Sequence, residues 1–291
     1  FLPVLGAHGH PALPTLGSVT IAPPGTALRV RTRPIRLPGP LLDVLPGDSG
    51  VLSWVRGGDG LVGWGEAARF TGTGPDRFAE ADRWWRRLRR GLEVHDPLRL
   101  PGTGPVAFAS FTFADDSPGS VLVVPRVLVG RRGEQAWMTE FSPLDEPDPA
   151  SPLPAPAPVR PGGRLRYSDG PASAQRYRGV VAAAVRRMRA GELDKAALAH
   201  DLIARAEAPL DPRFLLRGLS RNYPTCWSYA VEGLVGATPE LLLRLRGDTV
   251  ESRVLAGTIW PGQAGGAELD STLFGSCLLY TSPSPRDATL S

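Results

Sequence analysis

Hydrophobic and polar residues alternate over several short stretches in the first half of the chain, a pattern typical of half-buried strands. The stretches that this alternation predicts as strands are residues 27–32, 51–55, 61–64, 106–113, 120–129 and 135–141. Their connections are short and rich in glycine, proline and aspartate, as in residues 56–60. Because antiparallel strands can be joined by such tight turns, we predict that these strands form an antiparallel sheet.

Three stretches have the spacing of apolar positions that indicates amphipathic helices. The first covers residues 76–90, with Gly91 as its terminator. The second begins after Ser173, a good N-cap, and ends at Gly191. The third begins at Asp211, which is followed by a proline in the first turn. The predicted apolar stripes of the first two helices are Phe78, Ala81, Trp85 and Leu88, and Tyr177, Val180, Val181, Ala184, Val185 and Met188.

The second half adds more strands to these helices, so the fold class is predicted as α+β with mainly antiparallel sheets. The predicted strands are 195–204, then the pairs 226–231 with 234–237 and 241–246 with 249–254. Residues 142–163 contain many prolines and are predicted to form an extended linker. The linker therefore divides the chain into a first part, residues 1–141, and a second part that begins at residue 164.

Composition narrows the class of protein. The chain has 291 residues, of which 42% are hydrophobic and 21% charged, values typical of globular proteins. It has no apolar run of the ~18 residues that a membrane helix needs, and no leader is visible at Phe1. Two cysteines suit a reducing cytoplasm. The net charge of +4 comes from scattered arginines, which does not favour a nucleic-acid partner.

Lys195 is the most informative single residue, because it is the only lysine among the 33 basic residues of the chain. Arginine serves wherever a positive charge alone is needed, whereas lysine can lose its proton when buried and act as a base or nucleophile. The alternative is an ordinary surface lysine. The stretches 236–241 and 255–258, which follow later in the chain, weigh against that alternative.

Three stretches, residues 193–202, 236–244 and 254–262, together resemble the chorismate-utilising enzymes, and within them the isochorismate synthases. Residues 60–69, Gly-Leu-Val-Gly-Trp-Gly-Glu-Ala-Ala-Arg, resemble the amino-terminal region of the same enzymes. The resemblance implies a single α+β unit in which two largely antiparallel sheets pack face to face with helices outside. It also implies that both halves of the chain contribute to that unit, with chorismate as a small-molecule substrate.

The resemblance assigns roles to individual residues. Conversion of chorismate to isochorismate adds water at C2 and expels the C4 hydroxyl, so it requires a base and an acid. Lys195 matches the base, whose ordinary pKa of about 10.4 would have to fall for it to act near neutral pH. Glu240 matches the acid that protonates the leaving hydroxyl, which requires a raised pKa. The residues implied to line the substrate are Ala256, Gly257 and Thr258.

Two positions distinguish the branches of this family. The ammonia-using branch typically has glutamine where this chain has Lys195, and another branch has a nucleophilic lysine where this chain has Ala256. The chain therefore resembles the water-using branch, which includes isochorismate synthases and salicylate synthases. These two activities stay open, as do menaquinone and siderophore pathways. One departure is His200, which stands where the family usually has arginine.

The resemblance implies that residues 164–276 form the N-terminal portion of the chorismate-binding catalytic region, and it ends at about Ser276. Residues 277–291 have neither helical nor strand periodicity and are predicted to be a non-native tail. In the family, the region that would follow carries glutamates that bind Mg²⁺, so we expect Mg²⁺ as cofactor but assign no metal ligand among these residues. A catalytically inactive chorismate-binding fragment is therefore the third functional hypothesis, and the chain by itself is expected to be inactive.

Overall fold

The fold is given by a computed structural model, which describes residues 28–145, 152–194 and 196–253. The helices are α1 (Arg77–Arg90), α2 (Ala174–Arg189) and α3 (Pro212–Asn222), with a short 3-10 helix at Leu41–Val44. The strands of the first half are β1 (Leu28–Pro34), β2 (Leu52–Arg56), β3 (Asp59–Trp64), β4 (Ala68–Gly72), β5 (Leu92–His95), β6 (Phe108–Ser110), β7 (Ser120–Val124), β8 (Val127–Arg132) and β9 (Gln135–Pro143). The remaining strands are β10 (Leu165–Asp169), β11 (Leu202–Ala206), β12 (Trp227–Val231), β13 (Leu234–Thr238), β14 (Leu241–Arg246) and β15 (Thr249–Arg253).

The chain divides into two compact units, residues 1–161 with 211–237 and residues 162–210 with 238–291. These units do not divide the chain at residues 142–163. Strand β9 continues to Pro143, and residues 152–161 belong to the first unit. Residues 211–237, from the second half of the sequence, return to the first unit and supply α3 and β12 to it.

The first unit contains an eight-stranded sheet with the order β13-β12-β2-β3-β8-β9-β1-β5 and a three-stranded sheet with the order β4-β7-β6. The two sheets pack face to face through a buried cluster that joins side chains from both, including Leu52 and Leu128 from the large sheet and Val121 and Val123 from the small one. The predicted α+β fold with two packed sheets is confirmed. The pairing of β1 with β5 is parallel, which the sequence pattern did not predict.

Helices α1 and α3 pack on opposite faces of the large sheet, with α1 on the face that also meets the small sheet. On one side Trp84, Trp85 and Leu88 of α1 pack against the cluster that contains Val30 and Phe141. On the opposite face of the large sheet, Leu216 of α3 lies in a cluster with the 3-10 helix and residues of β2, β3, β8 and β9. Three members of the predicted α1 stripe are confirmed, because Ala81 is buried and Trp85 and Leu88 pack against this cluster. The fourth, Phe78, is 54% exposed and contacts the ring of Phe111.

Pro125 explains the largest error in the predicted strands. The stretch 120–129 was predicted as one strand, but it forms β7 and β8, which belong to different sheets. Proline has no backbone N–H to donate to a ladder, so a strand readily ends there. The change of direction lets one continuous apolar run contribute to both layers of the core.

The second unit contains α2 and two hairpin-like strand pairs, β10 with β11 and β14 with β15. Ser173 caps α2 as predicted, because its side chain accepts a hydrogen bond from the backbone N–H of Arg176. No residue of α2 is fully buried among the described residues. Several large apolar side chains of the two strand pairs are exposed, and they are Leu165, Tyr167, Leu202, Ile203, Leu242, Leu243, Leu245 and Val250.

Candidate active site

Glu240 is the one predicted catalytic residue within the described part of the chain. It lies immediately before β14, and its backbone N–H donates a hydrogen bond to the Thr238 side-chain oxygen (3.2 Å). This local turn directs the chain from β13 into β14. The Glu240 side chain is exposed, whereas the next residue, Leu241, is buried. The buried Leu241 side chain thus holds the start of β14 in the second unit, while the Glu240 carboxylate beside it lies at the surface.

Gly236, in the same motif, has a packing reason for being glycine. A Cβ built on Gly236 would lie 2.5 Å from the hydroxyl oxygen of Tyr229, on the neighbouring strand β12. Any side chain would therefore collide with the ring that covers this position. The turn that precedes β13 also requires special residues, because Glu232 and Gly233 both have positive φ (49° and 79°).

The motif at residues 60–69 contacts that same turn. Arg69 donates hydrogen bonds to a carboxylate oxygen of Glu66 (2.8 Å) and to one of Glu232 (2.7 Å). The hydrogen bond to Glu232 is the main reason why the pKa of Arg69 is raised above its ordinary value, although burial acts in the opposite direction. The charge cluster therefore joins the first-half motif to the β12–β13 turn within the first unit.

The other predicted site residues, Lys195, Ala256, Gly257 and Thr258, lie outside the described residues. The neighbours of Lys195, Asp194 and Ala196, are exposed. The strand predicted for residues 195–204 is observed only at β11, Leu202–Ala206. Its partner β10 pairs with those five residues, and the described residues 196–201 are not part of a strand.

The segment after Lys195 instead contacts α2. A ring nitrogen of His200, Nε2, donates a hydrogen bond to the carbonyl oxygen of Ala172 (2.9 Å). The His200 ring packs against Tyr177 with 5.0 Å between ring centroids. The Tyr177 hydroxyl donates to the carbonyl oxygen of Leu198 (3.4 Å). The sequence pattern predicts Tyr177 in a core stripe and indicates no role for His200, because no pattern shows that these two side chains meet.

The described residues do not form a magnesium site. Among them, no group of three or more histidine, cysteine, aspartate or glutamate side chains comes close enough to hold a metal ion. Mg²⁺ prefers carboxylate and other oxygen ligands, and the described residues offer no such set. In the part of the chain that the structure describes, no helix is long and apolar enough to cross a membrane.

Comparison with known proteins identifies the class to which this fold and these motifs belong. Residues 49–273 match the family model described as chorismate binding enzyme. This match covers well over half of the chain, so the protein belongs to the family of chorismate-binding enzymes.

Individual relatives agree with that assignment. The chain is 32% identical over 168 residues to a Mycobacterium tuberculosis protein named isochorismate synthase MenF, covering 54% of this chain and 40% of that protein. It is 30% identical over 255 residues to the salicylate biosynthesis isochorismate synthase of Pseudomonas aeruginosa, covering 78% of this chain and 52% of that protein. The chain thus spans about half the length of the relatives that it matches.

A solved structure shares the fold. The menaquinone-specific isochorismate synthase MenF of Escherichia coli superposes with a TM-score of 0.56 at 21% identity, covering 85% of this chain and 58% of that chain. At this level of identity the similarity concerns the fold alone.

Proposed function

We propose that the protein is an isochorismate synthase, which isomerises chorismate to isochorismate. The observation that carries the proposal is the match to the chorismate-binding enzymes over residues 49–273, in a chain whose sole lysine lies within a family motif. Two of its relatives are named as isochorismate synthases. The test is to supply chorismate to the full-length protein and identify the product by chromatography; a product other than isochorismate would contradict the proposal.

In the proposed reaction, Lys195 removes a proton from water as the water oxygen bonds to C2 of chorismate. Glu240 donates a proton to the C4 hydroxyl, which leaves as water, and the ring double bonds shift between these positions. One water enters and one leaves, so the reaction is an isomerisation. Small residues at Ala256 and Gly257, with Thr258, would allow the backbone to approach the substrate closely.

Mg²⁺ remains an expectation from the resemblance. It would neutralise substrate carboxylates, but the described residues provide no ligand set for it, and no step above depends on it. We propose that its ligands belong to the portion of the full-length enzyme that is not represented here. A cytoplasmic location likewise stays a prediction from composition.

Salicylate synthesis is the second candidate, because one relative is named for salicylate biosynthesis. A salicylate synthase would eliminate pyruvate from isochorismate after forming it. Assaying pyruvate together with isochorismate distinguishes the two activities, since a pure isochorismate synthase releases no pyruvate.

Glu240→Gln is predicted to lower the rate of isochorismate formation by about 10²–10⁴-fold, the usual effect of losing one positioned proton donor. The change is isosteric and the side chain is exposed, so the unfolding midpoint should not change. The measurement is kcat and chorismate affinity in the full-length enzyme, with the exposed Glu251→Gln as control. Weaker binding at an unchanged kcat would make Glu240 a substrate contact.

The 291-residue chain by itself is predicted to be inactive and poorly soluble. Its β14–β15 pair exposes Leu242, Leu243 and Leu245, an apolar surface that favours aggregation when nothing covers it. The measurements are soluble yield, chorismate binding and product formation, for residues 1–276 and 1–291 beside the full-length enzyme. Turnover by either shorter chain would overturn this prediction and the inactive-fragment hypothesis with it.

A further inference from the structure

In the sequence, Lys195 stands between two described stretches, one ending at Asp194 and one beginning at Ala196, and both contact α2. Before it, the backbone N–H of Glu192 donates to the carbonyl of Arg187 (3.0 Å), and the side chains of these two residues form an ion pair (2.9 Å). After it, the side chains of His200 and Tyr177 make the contacts described above. Described residues before and after the lysine are thus in contact with the two ends of α2.

On the His200 side, two hydrogen bonds and one ring contact link the start of α2 to residues 198–200. His200 holds the carbonyl of Ala172, just before the N-cap of α2, while Tyr177, one turn into the helix, holds the carbonyl of Leu198. The two rings pack against each other between these hydrogen bonds, with an interplanar angle of 33°. Two side chains therefore attach backbone from three to five residues after Lys195 to the start of a helix.

We infer that His200 and Tyr177 are positioning residues: they attach residues 198–200, which follow Lys195 closely in the sequence, to the start of α2 and so limit where the lysine can lie. The inference rests on the proposed function for the role of Lys195, but the contacts themselves do not depend on it. A general base must be held within hydrogen-bond reach of the proton that it removes, so looseness in its backbone lowers turnover. An arginine at position 200 could not pack and hydrogen-bond in the same way, because its guanidinium lies on a longer and more flexible side chain.

The sole lysine supplies a direct test of the contacts. In the soluble fraction of the 291-residue chain, a lysine-specific endoprotease has one site, the Lys195–Ala196 bond, so its cleavage rate reports local opening of this segment. His200→Ala and Tyr177→Phe should each raise that rate by ~2- to 10-fold, the factor expected for losing a hydrogen bond. His200→Gln, which keeps an N–H donor, should restore part of the protection.

Matched controls separate local from global effects. Tyr167→Phe alters an exposed tyrosine of the same unit, and His95→Ala alters an exposed histidine on β5; neither should change the cleavage rate. Thermal unfolding midpoints should be alike in all variants. Equal cleavage rates for the wild-type chain, His200→Ala and Tyr177→Phe would overturn the inference.

A kinetic experiment tests positioning as distinct from mere stability. In the full-length enzyme, Tyr177→Phe should lower kcat several-fold with an unchanged KM, because substrate binding does not depend on the lysine backbone. A changed KM with unchanged kcat would overturn the positioning role. If Lys195→Ala retains activity while the cleavage results hold, the proposed function fails and the anchoring contacts stand.

Discussion

Replacing Lys195 with alanine in the full-length enzyme is expected to lower the rate of isochorismate formation by ~10⁴-fold or more, the upper end of the range for losing a general base. Chorismate should still bind, because the role proposed for the lysine is to act on the attacking water and not on the substrate carboxylates. The measurements are single-turnover rates and the affinity for chorismate. A near-wild-type rate in the alanine variant would show that Lys195 is not the base.

Two further substitutions distinguish a base from a positive charge. Lys195→Arg should be as inactive as the alanine variant, because a guanidinium keeps its charge but does not release its proton. Lys195→Gln should also be inactive with water as the nucleophile. Arg189→Ala, which removes an exposed charge at the end of α2, is the control and should retain activity. Activity in the arginine variant would mean that only the positive charge is required.

Replacing Arg213 with alanine is expected to cost about 3–5 kcal/mol of unfolding free energy, the range for breaking a buried ion pair from one side. The Arg213 side chain is 2% exposed and its partner Asp211, the N-cap of α3, is 1% exposed. Arg213 Nη2 donates to an Asp211 carboxylate oxygen at 2.7 Å. Removing the guanidinium would leave that carboxylate buried without its main partner.

Arg213 also attaches the proline-rich segment to the core of its unit. Its Nη1 donates to the carbonyl oxygens of Leu45 (3.2 Å) and Ala157 (3.0 Å), and its Nη2 donates to that of Pro158 (3.3 Å). Arg213→Lys should therefore recover only part of the stability, since one ammonium cannot reproduce the planar fork of donors. Proteolysis within residues 152–161 should become faster in both variants.

Arg217→Ala is the matched control, because this arginine lies one turn later on α3. It pairs with Asp43 at 2.7 Å, but both side chains are 42% exposed, so the pair should contribute only ~0–1 kcal/mol. The measurement is the free energy of unfolding by urea at neutral pH. Equal losses of unfolding free energy in Arg213→Ala and Arg217→Ala would contradict the prediction that the buried pair contributes more to stability than the half-exposed pair.

The buried pair also predicts an effect of pH. Burial alone would raise the pKa of Asp211, but hydrogen bonds from Arg213 and from the backbone of Arg160 outweigh it and lower the pKa. A lowered folded-state pKa gives stability that is present above about pH 4 and is lost as the pH falls further. Glu140 acts in the opposite sense, since burial raises its pKa despite Arg33. The difference between wild-type and Arg213→Ala profiles isolates the contribution of Asp211.

The sequence pattern was sufficient to predict the elements that are specified by residues close together in the sequence. The hairpin of β2 and β3, the caps at Ser173 and Asp211 and the β14–β15 pair were predicted and are confirmed, because turn chemistry and apolar spacing are properties of neighbouring residues. The fold class followed from the same patterns together with the family resemblance.

The sequence predicted which residues belong to the candidate site, but not the surroundings of their side chains. The motifs identified Lys195, Glu240 and residues 256–258, and of these the structure describes Glu240 alone, in an exposed position before β14. The acid role proposed for Glu240 depends on what surrounds its carboxylate, and no motif encodes those surroundings. The catalytic assignments therefore remain predictions, which the Lys195 and Glu240 variants test.

The sequence by itself determined the helices, the hairpins and the motifs of a chorismate-binding enzyme. Only the tertiary structure decided that β5 pairs in parallel with β1, that Pro125 sends β7 and β8 to different sheets, and that residues 211–237 return to the first unit. It also decided that Arg213 is buried. The physical reason is that partners distant in sequence determine strand pairing and charge burial, whereas helix caps and tight turns depend on residues close in sequence.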